Sequence, residues 1–414
     1  MIRKTIGMIG LLVILSYTAQ AATGKYIGTD SVWSLWEITT EHNVNVINDA
    51  TLTVDVNGEA NMLRLGKSTN TGHLDVQHDV TLIDTITGFL VGYGGFGGST
   101  VTQSAGTVTS PKLAVTSAAG NPSRYDLSGG VLTVSDLAID QYSTLNLSGG
   151  SLSAEFDGAN WEVSGDGTLD CSAGTISLVS TQVADKIYIE NSLFSVSGGS
   201  LNLDAQVWIG RIVPSEFRVV GNDATISMEY LQQRTTTAPN GTFRFVFDED
   251  GISPITVTGW ANLEAASIVV DGSNFIGTAG TFTLFDMATL NTIADTNNIS
   301  VTGFDDYDAA YVVQDMDTDL VQLVVEGGPV EEIVINSIAV DSSGDVNVEV
   351  SGLLTGKEYF LVRNTDLTSS NGFANVADSV TAGYSVETMT DTNAPVEKAF
   401  YRVQDQTNAT AVFF

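Results

Sequence analysis

Five times along this chain a glycine turn leads into a small residue, an apolar residue and then alternation. The instances are Ala105-Gly-Thr-Val-Thr109, Gly129-Gly-Val-Leu-Thr-Val134, Gly149-Gly-Ser-Leu-Ser-Ala154, Ala173-Gly-Thr-Ile-Ser-Leu178 and Gly198-Gly-Ser-Leu-Asn-Leu203. Their marker glycines, Gly106, Gly130, Gly150, Gly174 and Gly199, lie 24, 20, 24 and 25 residues apart. Self-similarity at such a period belongs to stacked supersecondary units, none of which can bury its apolar side alone. A second landmark follows the turns: Leu113-Ala-Val-Thr116, Leu137-Ala-Ile-Asp140, Ile187-Tyr-Ile-Glu190 and Val207-Trp-Ile-Gly210. Leu63-Arg-Leu-Gly66 and Phe89-Leu-Val-Gly92 are earlier relatives of it. Each unit therefore holds at least two short strands. Alternation turns Val108, Leu132, Leu152, Ile176 and Leu201 inward, and Ile226 extends the series.

A sandwich also has short strands and regular turns, but it does not repeat one local formula at one depth. The expected fold is all-β: a parallel β-helix (solenoid) with rungs about 4.8 Å apart, followed by a small C-terminal β-sandwich module. A sandwich or β-prism in place of the solenoid is the alternative. Residues 1–21 read as a signal peptide, 22–326 as the solenoid with terminal caps, 327–332 as a linker and 333–414 as the module. The leader is legible in Arg3 and Lys4, the apolar run from Ile6 to Leu15 and the small-x-small site Ala19-Gln-Ala21. That run is shorter than the roughly 20 residues of a spanning helix, so no membrane span is expected in the mature chain. Trp33-Ser-Leu-Trp36 and the stretch from Asn43 to Val56 are expected to cap the N-terminal end. The less regular strands between Thr242 and Glu326 are expected to supply the last rungs and the other cap, because a solenoid must cover its open core and its unpaired edge.

Composition narrows the function classes. The formal net charge is −33, and −35 once Arg3 and Lys4 are removed with the leader. Phosphate binding needs a basic face, so nucleic acid is not an expected partner. Only 16% of residues are charged; Ser, Thr, Asn and Gly carry the polar surface instead. The single cysteine, Cys171, rules out an intramolecular disulfide and reads as a small buried apolar residue. His42, His73 and His78 are the only histidines. The odd spacing of His73 and His78 points them to opposite faces of a strand, which argues against a histidine metal site.

The phrase Phe89-Leu-Val-Gly-Tyr-Gly-Gly-Phe-Gly-Gly-Ser-Thr-Val-Thr-Gln-Ser-Ala-Gly-Thr-Val-Thr109 resembles the glycine-rich repeats of autotransporter-passenger-like β-helix proteins of bacterial secreted or surface type. Thr278-Ala-Gly-Thr-Phe-Thr-Leu-Phe-Asp286 resembles the closing segment that follows such repeats. The resemblance spans roughly residues 27–325. It implies architecture and export, and no fixed catalytic motif. No outer-membrane barrel is expected, so self-translocation is not implied. Tyr359-Phe-Leu-Val-Arg-Asn-Thr-Asp-Leu-Thr-Ser369 with Ala399-Phe-Tyr-Arg-Val403 resembles a short C-terminal module found on many secreted bacterial proteins, which implies an accessory or surface-retention role.

Polysaccharide lyases and hydrolases on β-helices need acids clustered with a base or a calcium ion. Here Asp126, Asp136, Asp140, Glu155, Asp157, Asp166 and Asp170 are scattered, and Arg124, Lys186, Arg211 and Arg218 read as isolated. No catalytic residue is assigned and no enzyme activity is expected. Aromatic residues in the repeats are the ligand-contact candidates: Trp208, Tyr188 and Trp161. Trp208 leads because it is opposite in phase to Val207 and Ile209. No cofactor is expected. Asp315, Asp317 and Asp319 put hard oxygens at alternate positions and are the candidate calcium ligands, with a charged turn as the competing reading. The expected function is a secreted or cell-surface, non-catalytic repeat protein for adhesion, matrix or glycan contact, with glycans or other surface proteins as partners. A polysaccharide-active β-helix enzyme and a purely structural spacer are the alternatives. Handedness and oligomeric state stay open.

Overall fold

The computed structural model describes residues 23–405 other than 37, 67–69, 85–87, 93–97, 118–119, 141, 157–160, 181, 183–184, 211, 234–240, 306, 328–332, 354–357, 365–374, 383–385 and 396–398. The leader, nearly all of the linker and the glycine-rich loop with Tyr93 and Phe96 lie outside the described residues. The chain divides into two compact units. One comprises the residues up to Ile276, Thr281–Phe304 and Tyr311–Val324; the other comprises Gly277–Gly280, Asp305–Ala310 and Val325–Phe414. Among the described residues no helix is long and apolar enough to cross a membrane.

The first unit is a parallel β-solenoid. Each turn has three strands, one more than the two landmarks of the repeat mark out. Gly72–Val76 lies on a first face, Val80–Leu82 on a second and Phe89–Val91 on a third; Thr100–Gln103 then returns to the first and pairs in parallel with Gly72–Val76. Later strands bend around a corner without breaking: Thr107–Val115 serves the second and third faces, and Thr144–Phe156 the first and second. Parallel pairing runs from Thr23–Ile27 on His42–Val46 to Ala266–Asp271 on Ile299–Thr302.

The inward series forms an unbroken ladder on the second face. Val80, Val108, Leu132, Leu152, Ile176, Leu201, Ile226, Ile255 and Phe285 are partners in successive rungs, each almost fully buried. Alternation drives this placement, since every second side chain must leave water for the same interior. The first face carries its own ladder, Tyr125, Leu145, Leu169, Phe194, Phe217, Phe243 and Ile268. Cys171 stands between Leu147 and Val196 on this face, and burial pushes its thiol up to about 11. Gln103 is the buried polar rung of this interior: its amide accepts from the Tyr125 hydroxyl at 2.6 Å and donates to the carbonyls of Gly106 and Val131.

The turn glycines explain the repeat. Gly130, Gly150, Gly174 and Gly199 all have positive φ, and a Cβ on each would lie 2.2–2.6 Å from the carbonyl oxygen of the marker glycine one rung earlier. Glycine is required twice over, by conformation and by close approach.

The two ends differ. Asn43–Val56 is not a cap, because His42–Val46 and Ala50–Val54 form regular rungs on the third and first faces. Near the N-terminal end, the short 3₁₀ turn Trp33–Leu35 lays the buried Trp33 indole against Gly58, where a Cβ would lie 2.3 Å from Nε1. Toward the C-terminal end the aliphatic core gives way to phenylalanine. Phe247, Phe275, Phe282 and Phe304 meet mostly edge to face at 5.2–5.8 Å, a favoured ring arrangement.

The second unit holds two three-stranded antiparallel sheets. Val334–Val340, Val346–Ser351 and Val386–Asp391 make one; Asn375–Thr381, Glu358–Asn364 and Phe400–Asp405 make the other. Both contribute to one core of Ile335, Val348, Val350, Leu361, Met389, Tyr401 and Val403. The carboxylate of Asp391, 1% exposed, accepts from Arg363 at 2.6 Å and from the Tyr401 hydroxyl at 2.9 Å.

Candidate functional site

The third face presents an aromatic strip to solvent. Its outward positions, read rung by rung, are Arg64, Leu90, Ala114, Ala138, Glu162, Tyr188, Trp208 and Gln232. A parallel line two residues earlier carries Lys186, Gln206 and Tyr230, and Trp260 follows on the next rung. Aliphatic and charged residues on the early rungs thus give way to rings on the later ones.

The rings pair across rungs. Tyr188 meets the edge of Trp208 at 5.8 Å, and Tyr230 lies tilted over Trp260 at 5.5 Å. Gly259 makes room for the Tyr230 ring, since a Cβ there would sit 2.4 Å from Cε1. Lys186 places its ammonium 5.1 Å from the centre of the Trp208 ring, within cation–π range. Gln206 donates to Gln232 at 2.8 Å, which aligns the two amides along the axis. A hydrogen bond to the Glu229 carboxylate, with the charge of that group, raises the Tyr230 hydroxyl above its ordinary pKa.

The three aromatic candidates have different fates. Tyr188 is outward and partly exposed. Trp208 is outward, as its phase predicts, but only 5% exposed. It is therefore a floor beneath Tyr188 and Lys186 more than an open platform. Trp161 points inward: it is 1% exposed, stands in register with Ile187 and packs against Phe156 at 6.0 Å. Its phase matches Val163, which the sequence already displays. Trp260 and the Gln206–Gln232 pair were missed. Trp260 sits in the less regular frame, and the glutamines meet only across 26 residues.

The acids and bases also rearrange. Lys112 pairs with Asp136 at 2.8 Å and Arg124 with Asp126 at 2.6 Å; Glu216 is shared by Arg218 and Arg244. Arg124 and Arg218 are therefore not isolated, and two of these pairs, Lys112–Asp136 and Arg244–Glu216, join adjacent rungs. Arg211 lies outside the described residues.

Asp315 ends the strand Ala309–Asp315 and accepts from the backbone of Asp317 at 2.9 Å; that bond, with those from Thr318, holds its carboxyl below the usual range. Asp319 has φ 57° and accepts from the Leu290 backbone at 2.7 Å. Asp315 thus acts within the turn itself, and Asp319 ties the turn to the strand Gly280–Thr292. Among the described residues no three His, Cys, Asp or Glu side chains converge in a metal-binding arrangement.

What the third face can do chemically is offer ring faces and edges, two fixed amides and one ammonium along an axis with about a 4.8 Å repeat. No protein-family model, no curated protein and no solved structure matches this chain.

Proposed function

We propose that this chain is a secreted or cell-surface protein, of bacterial autotransporter-passenger-like type, that contacts glycans without chemically altering them. The observation that carries the reading is the outward strip of Tyr188, Tyr230 and Trp260, flanked by the Gln206–Gln232 amides. Rings supply flat apolar surface for the C–H faces of sugars, and adjacent amides and hydroxyls supply directional hydrogen bonds. An extended strip suits a chain ligand better than a single sugar, because successive rungs offer repeated contacts. The signal-like leader supports export, and the large negative charge supports solubility at a surface.

Glycan-array binding by the full chain, run beside a polysaccharide depolymerisation screen, tests the proposal. The expected result is binding to one or more polymeric glycans that falls at least about tenfold in Trp260→Ala, a loss of about 1.4 kcal/mol, with no oligosaccharide release. Reproducible release that is lost on changing one carboxylate would replace this reading with the enzymatic one. No binding to any glycan would leave the spacer.

A further inference from the structure

A concave site lies near the other end of the solenoid, away from the aromatic strip. A cleft of about 710 Å³ opens between the Trp33–Leu35 turn and the first two rungs of the second face. Its walls include Trp36, Asn57, Glu59, Asp79 and Thr81. That volume is in the range of small-ligand sites.

The cleft is built. The Trp36 indole donates from Nε1 to Ser31 Oγ at 2.7 Å, which fixes the ring while leaving it partly exposed. Asp55 accepts from the backbone and hydroxyl of Ser34 and so ties the 3₁₀ turn to the rung; these bonds hold its carboxyl below the usual range. Asp79 accepts from the Thr107 backbone at 2.7 Å through one oxygen, and its own N–H donates to Asn57 at 3.3 Å. The Glu59 side chain is exposed, and its carboxylate has no hydrogen-bond or ion-pair partner among the described residues.

The charge of the lining is one-sided. Glu59 and Asp79 are both carboxylates, and among the described residues no Lys, Arg or His lines the cleft. An anionic ligand would meet repulsion from both. An organic ammonium would meet two carboxylates and an indole, the pair of features that favours such cations. The remaining wall mixes hydroxyl and amide groups, from Ser34, Thr39, Thr40, Asn57 and Thr81, with the apolar Trp33, Ile38 and Val56, which suits a sugar ring with its hydroxyls and its C–H face.

We propose that this cleft is a binding site for a glucosamine-type amino sugar, held by its protonated amine at Glu59 and Asp79 and by its ring on Trp36. The site is independent of the aromatic strip, which carries a lysine on its tryptophan where this cleft carries acids.

The test is calorimetric titration of the full chain, at about pH 6 where such amines are protonated, with a glucosamine tetramer and with its N-acetylated counterpart. The expected result is saturable binding of the free amine form, at least about tenfold tighter than the N-acetylated form. Glu59→Gln should weaken it at least about fivefold and Trp36→Ala at least about tenfold, while Glu155→Gln, the same loss of one exposed carboxylate elsewhere on the solenoid, leaves it unchanged. Glu59 is exposed, so its variant keeps the test sound even if Trp36→Ala disturbs the turn. Equal affinity for the two tetramers, no saturable binding, or wild-type affinity in Glu59→Gln and Trp36→Ala would each overturn the site. The last result would report only the general attraction of an acidic protein for a cation.

Discussion

The glycine-marked rungs and the phenylalanine-rich rungs that follow keep one register by two different devices. Between residues 106 and 199, turn glycines stack on one another, so that backbone meets backbone and the core is a ladder of aliphatic side chains. At the next rung Ala224 stands in register with Gly199, and its φ is not positive. There the side chains take over: Ser253 accepts from the Ala224 backbone at 3.0 Å, and Asp248 accepts from the backbones of Asn222, Asp250 and Gly251. The core broadens in step, from Leu201 and Leu203 to Phe243, Phe245 and Phe285. The lesson is that a solenoid needs a tight turn and a filled interior, and that the chemistry supplying them can change along one stack without breaking it.

The largest expected effect comes from breaking the ladder at its centre. Leu152→Asp places a charge between Leu132 and Ile176 with no partner, and should destabilise by about 4 kcal/mol or more. Loss of the cooperative transition in circular dichroism is the expected readout. Phe247→Ala should come next, at about 3–5 kcal/mol. Its damage should stay local, because rungs touch only their neighbours. Hydrogen exchange should quicken in 241–302 while amides in 107–178 keep their protection.

The turn comparison sharpens at one position. Gly130→Ala must hold φ 77° and bring a Cβ toward the Gly106 carbonyl, so a loss of about 2 kcal/mol is expected. Ala224→Gly, at the position equivalent to Gly199, should cost under about 1 kcal/mol. Thermal melts of the two variants measure the difference, and equal losses would mean that the stacked glycines are not the device. The smallest effect is a null one. Cys171 should resist thiol reagents at about pH 8 in the folded chain, since burial holds its pKa near 11. Labelling at the rate of a free thiol would show that the first-face interior is open there.

Much of this was written in phase. The aliphatic ladder, the outward setting of Trp208 and the inward setting of Trp161 all follow from alternation with immediate neighbours. The third strand of each turn was equally present, as Tyr125-x-Leu127, Leu145-x-Leu147, Leu169-x-Cys171 and Phe194-x-Val196 just before each turn, but the conspicuous glycines drew the unit boundary elsewhere. What sequence could not display is the contact between rungs. Lys112 and Asp136 are 24 residues apart in the chain and 2.8 Å apart in space. The N-terminal cleft is hidden for the same reason, since Trp36, Glu59 and Asp79 belong to successive turns. In the second unit, Asn375–Thr381 is so rich in Asp, Ser and Thr that its β character appears only in its pairing with Glu358–Asn364.

The most direct test of the functional account is titration of an array-selected glycan that carries no free amine into the full chain and into Trp260→Ala, with Trp36→Ala as the distant control and melting temperature as the check on folding. The account predicts that Trp260→Ala weakens binding at least about tenfold while Trp36→Ala binds that glycan as the parent does and both remain folded. Parent-like binding by Trp260→Ala would contradict it.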